Sequence, residues 1–511
     1  MHMSNKPNTP KGMRDFLPHE VIRRNYIMDV IKTQFERYGF LPIETPSMER
    51  RDLLLGKYGD EGDRLVFKVL NSGEKVKKAD VDALEMGELS RFGNSIAEKA
   101  MRYDLTVPLA RFVVQHQNEL SFPFKRYQMQ PVWRADRPQH GRFQEFMQCD
   151  ADSIGSDSIL LELEFIQMID AVFSGLNLQG CTLRVNHRKL LEAISRKSRA
   201  EDQTATFLTI LDKLDKVGWD EVQQLLAQAG FDNQMINTVQ EALQGKSNAD
   251  QLEILKQLIA DDFIESTPFD DLNFLFSNME KMTSIDVVFD WTLARGLDYY
   301  TGTIFEISAP KSVSLGSIGA GGRYDNLTAV FGMKGMSGIG ISFGLDRIEL
   351  VLSELDLFPP EIHTSIDLFV VHFNMEMMTA LLPYINELRR SGKRVYVYPT
   401  AARLKKQLGM ANQLNTPFAL IMGEDEWKEK YDWEKIHHWL QPMLPTKYTQ
   451  ASCFNCHQSQ PIVDGGDKLA LGLGLISTSG CNNCHHIETY QKEYNAGPPL
   501  THLNQNRNHL F

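Results

Sequence analysis

The chain of 511 residues lacks the hydrophobic segments that lead a protein to or through a membrane. Its start, Met1–Asn8, has no apolar core, so we expect no signal peptide. No uninterrupted apolar run reaches the length of a membrane span. These absences favour a cytoplasmic protein without a membrane partner. Hydrophobic residues at 42% and charged residues at 23% are ordinary for a soluble globular protein, and the length allows two to four domains.

The sequence also lacks an excess of positive charge. It has 54 Lys and Arg residues against 66 Asp and Glu residues, which gives a formal net charge of −12. This balance argues against a protein that coats nucleic acid regardless of its sequence. It still allows a local basic patch that contacts one folded RNA, because such contacts depend on how the charge is distributed.

Two arginine-bearing segments are candidates for contacts with phosphate groups; the alternatives are solvated surface arginines and an ordinary amphipathic helix. In Val132–Asp150, Arg134 belongs to a predicted strand, and Arg142 lies in the loop that leads to a second strand. Arg347 lies in the first turn of a helix that follows a strand of small residues at 338–344, where free backbone N–H groups favour an anion. A planar guanidinium pairs with two phosphate oxygens and offsets the charge that a phosphate gains when it is attacked.

Asp104 and Thr106 predict a contact with an ammonium group. Two residues apart on a strand, they would share a face, and a carboxylate beside a hydroxyl suits an ammonium through charge-assisted hydrogen bonds. The alternative is that Asp104 caps a helix, which we expect from Leu109 onward. Gln148 and Asp152, four residues apart on the second predicted strand, also share a face.

Two further segments combine glycine with tyrosine. Ala294–Glu306 joins a glycine turn to a strand and carries Arg295, Tyr299 and Tyr300. Gly316–Asn326 is predicted to be a glycine-rich turn that enters a helix, with Tyr324 near its end. It lacks the lysine of a phosphate-binding P-loop. Either segment alone would fit ordinary packing of a strand or a helix start.

Together these segments resemble the motifs of class II aminoacyl-tRNA synthetases, and the last two resemble the histidine-specific motifs of histidyl-tRNA synthetases. Residues 18–46 resemble motif 1, residues 132–150 motif 2 and residues 338–352 motif 3, and the resemblance covers residues 8–425. It implies an α+β fold whose catalytic domain, residues 8–355, has an antiparallel sheet of six or seven strands. A helical insertion at residues 187–285 and a small α/β anticodon-binding domain at residues 366–430 are also implied.

The resemblance further implies a histidine–tRNA ligase that acts as a cytoplasmic homodimer. L-Histidine and ATP, with Mg²⁺ on its phosphates, would give histidyl-adenylate, and the histidyl group would pass to the 3′ end of tRNA(His). ATP and the reacting groups would be contacted by Arg134, Arg142, Arg295 and Arg347. The ammonium would be held by Asp104, Thr106 and Gln148, and the imidazole by Asp152, Tyr299, Tyr300 and Tyr324. A carboxylate and a phenol match the one donor and one acceptor of a neutral imidazole.

A second interpretation is the non-catalytic paralogue of these enzymes that regulates histidine biosynthesis. Such proteins typically lack the anticodon-binding domain and the arginine at the position of Arg295, and this sequence has both. Past residue 426 the sequence departs from the family pattern. We therefore expect a truncated anticodon-binding domain, and a charging of tRNA that is weakened more than the activation of histidine.

Cysteine is scarce until the last part of the chain. Cys149 and Cys181 stand alone, as buried reduced thiols usually do, whereas the segment 446–511 contains two Cys-x-x-Cys-His sequences. Their candidate ligands are Cys453, Cys456, His457, Cys481, Cys484 and His485. This pattern is typical of covalent haem c attachment, and the segment resembles a fragment of a c-type cytochrome. One zinc ion on four thiolates and an unliganded tail are the alternatives; haem attachment conflicts with a cytoplasmic location.

Overall fold

The computed structural model describes residues 7–55, 64–197, 203–211, 213–243, 247–259, 267–293, 300–363 and 366–421. These residues form two compact units, one ending at Phe358 and the other beginning at Pro359. Within the described ranges, no helix has the length and apolar character that a membrane crossing requires. The candidate ligands of the Cys/His-rich tail lie outside the described residues.

The first unit is organised by a wide β-sheet. The strands of this unit are β1 (Leu41–Pro42), β2 (Met48–Arg50), β3 (Lys68–Val69), β4 (Lys99–Met101), β5 (Phe124–Trp133), β6 (Glu145–Ile154), β7 (Cys181–His187), β8 (Ile285–Phe289), β9 (Thr303–Ser308), β10 (Ser317–Tyr324) and β11 (Gly338–Gly344). Eight of them form the large sheet in the order β1-β5-β6-β11-β10-β9-β7-β8, and β2, β4 and β3 form a small separate sheet.

The interior of the large sheet is antiparallel, which confirms the implied fold class. The pairs β5–β6, β6–β11, β11–β10, β10–β9 and β9–β7 are all antiparallel. At each edge one parallel strand is added, β1 beside β5 and β8 beside β7. The expected number of six or seven strands is therefore too low, because these parallel edge strands extend the sheet to eight.

Fourteen α-helices accompany these strands in the described part of the first unit. They are α1 (Pro18–Arg37), α2 (Arg51–Leu54), α3 (Val81–Glu85), α4 (Leu89–Ser95), α5 (Thr106–Gln115), α6 (Leu160–Gly175), α7 (Arg188–Lys197), α8 (Thr204–Leu211), α9 (Leu214–Val217), α10 (Trp219–Gln228), α11 (Asn233–Ala242), α12 (Asn248–Ile259), α13 (Thr267–Asn278) and α14 (Leu345–Glu354). Helix α1 is the helix predicted after Pro18, and Gly39, with a φ of +80°, follows its end.

One face of the large sheet packs its apolar side chains under helices. Phe343 on β11 is fully buried. Its ring lies 6.1 Å from that of Phe35 on α1 and 5.9 Å from that of Phe173 on α6. Because side chains alternate along a strand, the neighbours of Phe343 on β11 point to the opposite face. The core on one side thus leaves the other side of the central strands for polar groups.

Helices α7–α13 occupy the chain between β7 and β8 and have a small core of their own. The rings of Phe207 on α8 and Phe231 lie 5.8 Å apart, edge to face, and Val222 and Leu226 of α10 are fully buried. Asn248, at the start of α12, bonds to the backbone of β8 through both polar atoms of its side chain: Nδ2 donates to the Val287 carbonyl at 3.2 Å, and Oδ1 accepts from the Phe289 N–H at 2.9 Å. The helices are therefore fastened to the edge of the sheet at this point.

The second unit is a three-stranded parallel sheet with two helices in its described part. Its elements are β12 (Leu368–Val371), α15 (Met375–Arg390), β13 (Val395–Val397), α16 (Leu404–Gln413) and β14 (Phe418–Ile421). The strand order is β13-β12-β14, and both pairs are parallel. This confirms the α/β unit expected from alternating strands and helices.

The segment Gly316–Asn326 corrects one expectation. It was expected to be a turn entering a helix, and it is instead strand β10. A Cβ at Gly321 would lie 2.1 Å from the carbonyl oxygen of Gly340, and one at Gly322 would lie 2.5 Å from that of Thr303. The glycines are needed because the neighbouring strands approach closely, a reason that does not appear in the local sequence.

A buried ion pair fastens β10 to α6. Arg323 points to the helix-covered face, where its Nε and Nη2 atoms lie 2.5 Å and 2.6 Å from the two carboxylate oxygens of Glu162. The same guanidinium donates to the hydroxyl of Ser337 at 2.6 Å and to two backbone carbonyls. The Glu162 side chain is 1% exposed. Its charge therefore depends on Arg323 for compensation.

We expect Arg323→Met to lower the free energy of unfolding by about 3–5 kcal/mol, because it leaves the buried Glu162 carboxylate without its cation. Urea-induced unfolding followed by tryptophan fluorescence measures the change. Arg50→Met is the control, since Arg50 pairs with Asp52 on the surface, and we expect no measurable change there. Equal unfolding midpoints for the two variants would contradict the assignment.

Candidate active site: a polar cavity on the central strands

A cavity of about 320 Å³ lies on the face of the large sheet opposite the helix-covered core. Nine residues predicted from the sequence line it: Asp104, Thr106, Arg134, Arg142, Gln148, Asp152, Tyr300, Tyr324 and Arg347. They come from five separate parts of the chain, and the fold brings them to one place. The other two predicted residues, Arg295 and Tyr299, lie outside the described residues.

The floor of the cavity is built from alternate residues of β6. Gln148, Asp150 and Asp152 all line it, as the period of a strand requires. On the neighbouring strand β11 they lie opposite Gly344, Ser342 and Gly340, respectively. The shared face predicted for Gln148 and Asp152 is therefore present. These opposing residues are small and leave room above the strands for a ligand.

Asp152 forms the centre of a hydrogen-bonded group in the cavity. Its Oδ2 atom lies 2.7 Å from Nη2 of Arg126 on β5, and its Oδ1 atom accepts a hydrogen bond of 2.6 Å from the Tyr324 hydroxyl. Burial raises the pKa of Asp152, while Arg126 and Tyr324 act in the opposite direction. Burial and the nearby Asp152 raise the pKa of Tyr324 well above its ordinary value, so the phenol keeps its proton as a donor.

Asp150 is a site residue that the sequence analysis missed. It is 2% exposed, lines the cavity and has one carboxylate oxygen, Oδ1, with no hydrogen-bond partner. Burial raises the pKa of Asp150 to about 7, even though the charge of Arg126 acts in the opposite direction. The Oε1 atom of Gln148 is likewise buried without a partner. A run of three alternating polar residues on a buried strand was the signal that could have revealed Asp150.

Asp104 and Thr106 reach the cavity from a different local structure than expected. They lie at the start of α5, which begins at Thr106, and not on a strand. The Oδ1 atom of Asp104 accepts a 3.1 Å hydrogen bond from the backbone N–H of Val107, which is the capping alternative. The strand prediction was wrong because Pro108, which lacks an N–H, fits the first turn of this helix. Capping the helix and lining the cavity are compatible for Asp104.

Three of the four predicted arginines, Arg134, Arg142 and Arg347, also line the cavity. Arg134 directly follows β5, where the prediction put it on the strand, and its Nε atom donates to the Tyr103 carbonyl at 3.1 Å. Its guanidinium carbon stands 4.3 Å from the centre of the Tyr103 ring and 5.2 Å from that of Phe146. These contacts hold a flat cation against aromatic rings while the group still lines the cavity.

Arg347 lies in the first turn of α14, as the sequence predicts. Its Nε atom donates to the carbonyl of Gly141 at 2.9 Å, and its Nη1 atom donates to the carbonyl of Ser317. Gly141 belongs to the loop between β5 and β6 that also carries Arg142. The guanidinium therefore joins this loop to the start of β10, and an anion bound here would meet it beside the N-terminus of α14.

Asp346, which precedes Arg347, connects the first turn of α14 to the N-terminal part of the chain and to β6. Its Oδ1 atom pairs with Arg14 at 2.6 Å and with Arg24 at 2.5 Å, and its Oδ2 atom accepts from the backbone N–H of Met147 at 3.0 Å. The Arg14 guanidinium also stands 3.6 Å from the centre of the Phe143 ring. The N-terminal loop thus supports the part of the cavity that Arg347 lines, a contact that the sequence alone did not indicate.

Comparison with known proteins gives a consistent result. A family model of histidyl-tRNA synthetases matches residues 93–348. The histidine–tRNA ligase of Christiangramia forsetii is 48% identical over 433 residues, which cover 84% of this chain and 94% of that protein. The ligase of Porphyromonas gingivalis is 48% identical over 425 residues, with coverages of 82% and 93%.

Solved structures share the fold. The crystal structure of a histidyl-tRNA synthetase from a Nostoc species has a TM-score of 0.69 and 29% identity, and the match covers 83% of this chain and 93% of that one. A protein of Bacillus halodurans, described as an ATP phosphoribosyltransferase regulatory subunit/histidyl-tRNA synthetase, has a TM-score of 0.64 at 19% identity. At that identity the second likeness concerns the fold alone.

We expect Gly340→Ala to disturb the floor of the cavity. A Cβ at this position would lie 2.0 Å from Oδ1 of Asp152, so the carboxylate must move away from Tyr324. Overpacking of this kind costs about 1–3 kcal/mol, and urea unfolding measures it. A crystal structure of the variant should show the contact between Asp152 and Tyr324 lengthened.

The matched control is Gly316→Ala, just before β10, where a Cβ would meet no atom within 4 Å. We expect wild-type stability from it. A Gly340→Ala variant with wild-type stability and an unchanged Asp152 contact would contradict this description of the floor.

Proposed function

The chain belongs to the histidyl-tRNA synthetase family, and on that premise we propose how its cavity activates L-histidine. The protein is a histidine–tRNA ligase, an aminoacyl-tRNA ligase that joins histidine to tRNA(His) at the expense of ATP. The observation that supports the proposed site is one cavity whose lining combines buried carboxylates, phenols and arginines. An amino acid and a nucleoside triphosphate together need groups of both kinds.

We assign the imidazole to Asp152, Tyr300 and Tyr324. A neutral imidazole offers one N–H donor and one nitrogen acceptor, so a carboxylate that accepts and a phenol that donates match its two sides. A side chain without these groups would leave buried polar atoms unpaired, which strongly disfavours its binding. Tyr299, outside the described residues, is assigned to the same group from its place in the histidine-specific motif.

We assign the α-ammonium to Asp104, Thr106 and Gln148. Asp104 brings a negative charge to the cavity, and the Oε1 atom of Gln148 is a buried acceptor without a partner. An ammonium group with three N–H donors can satisfy several such acceptors together. The assignment thus gives a ligand to an atom that otherwise costs folding energy.

We assign the reacting phosphates to Arg134, Arg142 and Arg347. Arg134 contacts the α-phosphate and the substrate carboxylate, and Arg347 reaches the γ-phosphate from the N-terminus of α14. One carboxylate oxygen of histidine attacks the α-phosphorus, the bond to the bridging oxygen breaks, and pyrophosphate leaves with that electron pair. The carboxylate is already a nucleophile, so the step needs no general base. Arg295, outside the described residues, is assigned to the charge that builds up on the α-phosphate.

Magnesium is proposed as a companion of ATP and not as a resident cofactor. In the part of the chain that the structure describes, no group of three or more His, Cys, Asp and Glu side chains is arranged to hold a metal ion. Asp346, which lines the cavity beside Arg347, is already engaged by Arg14 and Arg24. The ion would therefore arrive on the phosphates, whose charge it offsets.

The second unit is the proposed anticodon contact of tRNA(His). Its exposed cations include Lys393, Arg403, Lys405 and Lys406, and phosphate contacts of this kind position an RNA without reading its bases. Arg394, in the same region, is paired with Asp367 at 2.6 Å. A cytoplasmic location and a homodimer complete the proposal, both taken from the family.

The tail at residues 446–511 keeps its separate hypotheses, because it lies outside the described residues. Its two Cys-x-x-Cys-His sequences still fit haem c attachment or a zinc site. We expect protein purified from the cytoplasm to carry neither group. Haem-dependent absorbance at the Soret band and elemental analysis for zinc test this expectation, and one equivalent of either group would contradict it.

Amino-acid-dependent ATP–pyrophosphate exchange tests the proposed activity. With each standard amino acid in turn, we expect exchange with histidine alone. Arg134→Ala and Arg295→Ala should each lower the rate by about 10²–10³-fold, since each removes a cation from the developing charge. Arg390→Ala, an exposed arginine of the second unit, is the control and should exchange at the wild-type rate. Folded wild-type protein that shows no exchange with histidine would refute the proposal.

A further inference from the structure

Arg126 has no role in the site as assigned so far, yet it is one of the most deeply buried charges in the first unit. Its side chain is fully buried on β5, directly across the strand pair from Asp152. The Nη2 atom lies 2.7 Å from Oδ2 of Asp152. A guanidinium that has lost its hydration is stable only where an anion compensates it. The two groups therefore depend on each other.

The surroundings leave Asp152 a single orientation. Arg126 engages one carboxylate oxygen and the Tyr324 hydroxyl engages the other, at 2.6 Å. Gly340 lies opposite on β11, and the carboxylate fills the space that a side chain there would need. Three strands, β5, β10 and β11, thus contribute to the placement of one carboxylate on the fourth strand, β6.

Like charges close by make the compensation necessary. Asp150 lies two residues away on the same face and is equally buried. The negative charge of Asp152 raises the pKa of Asp150, because the two carboxylates repel each other. Asp104 adds a further negative charge that acts on Asp150. Arg126 acts on both aspartates in the opposite direction. Tyr324 contributes a hydrogen bond but no charge.

The Arg126 guanidinium also has N–H donors that form no hydrogen bond. Its Nε and Nη1 atoms are buried without hydrogen-bond partners, and so is the Oδ1 atom of Asp150. Arg126 donates only weakly elsewhere, to the Leu105 carbonyl at 3.4 Å. A side chain kept for packing or for a dense hydrogen-bond network would be better satisfied than this one. The charge of Arg126, rather than its hydrogen bonds, is therefore what stabilises the surrounding carboxylates.

We propose that Arg126 is a positioning residue for amino-acid selection, which holds Asp152 ionised and fixed in direction so that the site presents a permanent acceptor to an imidazole N–H. The inference rests on the proposed role of Asp152 in histidine binding. A carboxylate that took up a proton or turned would offer a donor at this point and would no longer distinguish imidazole from other rings. Arg126 acts through Asp152 and does not touch the substrate.

The sign of the pH effect follows from the charges. Replacement of Arg126 by a neutral residue removes the group that lowers the pKa of Asp152, so that pKa rises further. A larger fraction of Asp152 is then protonated at a given pH, and the carboxylate regains its charge as the pH increases. Histidine binding should therefore weaken most at low pH and recover toward high pH.

Two variants of Arg126 separate charge from shape. Arg126→Gln is neutral but keeps an N–H donor, and Arg126→Lys keeps the cation. In ATP–pyrophosphate exchange at pH 7, we expect Arg126→Gln to raise the KM for histidine on the order of 10- to 100-fold, the worth of a hydrogen bond to a charged group. The KM for ATP should stay unchanged. This increase should shrink toward pH 9, and Arg126→Lys should show a smaller increase without the pH dependence.

A buried arginine whose hydrogen bonds go to groups other than the site carboxylates controls for general damage. Arg102 is fully buried and bonds to Thr45, Pro131 and Gln130. We expect Arg102→Met to lower stability while leaving the pH profile of the histidine KM like that of the wild type. A wild-type histidine KM in Arg126→Gln, a rise that is equal at all pH values, or a rise shared with ATP would overturn the inference.

If Arg126→Gln does not fold, a double variant tests the inference instead. Arg126→Gln/Asp152→Asn removes the Asp152 carboxylate together with the cation that it contacts at 2.7 Å. We expect this double variant to fold, because the closest buried ion pair is removed as a unit and Asp150, whose pKa burial raises to about 7, can take up a proton. A double variant that also fails to fold would overturn the inference. The proposed function is tested separately, since wild-type protein without histidine-dependent exchange would refute that function whatever the variants of Arg126 do.

Discussion

The alternation of side chains along β6 is the constraint on which the rest of the structure depends. This strand lies between β5 and β11 in the interior of the large sheet. Every second residue faces the helix-covered core, and the residues between them face the cavity. Cys149 and Ala151 are fully buried on the core side, while Gln148, Asp150 and Asp152 form the polar floor. A shift of one residue in the register would exchange the two sets and destroy both core and site.

A polar floor within a buried sheet is expensive, and the molecule compensates for it with paired charges on both faces. On the cavity side, Arg126 and Tyr324 hold Asp152. On the core side, Arg323 and Glu162 form their own pair between β10 and α6. Arg323 and Tyr324 are neighbours in sequence and point to opposite faces of one strand. One residue therefore secures the sheet against a helix while the next takes part in the site.

The part of the cavity that Arg347 lines is supported by contacts between segments that are far apart in sequence. Asp346 forms ion pairs with Arg14 and Arg24 from the N-terminal part of the chain, and it accepts a hydrogen bond from the backbone N–H of Met147. The next residue, Arg347, fastens the loop of Gly141. Two adjacent residues at one helix start thus connect the N-terminal loop, the β5–β6 loop and the central strands. These contacts hold Arg347, one of the arginines proposed to meet the phosphates, at the start of α14.

The sequence by itself determined which motifs occur, which acids, phenols and arginines they carry, and the alternating strands and helices of the second unit, whereas the antiparallel sheet of the first unit was implied by the resemblance to a known family. It could do so because strand and helix periods and motif spacings are local properties of the chain. Only the tertiary structure decided that Gly316–Asn326 is a strand and that Arg126, Asp150 and Asp346 matter. Their roles arise from partners tens to hundreds of residues away, and burial and charge compensation exist only once the strands are assembled.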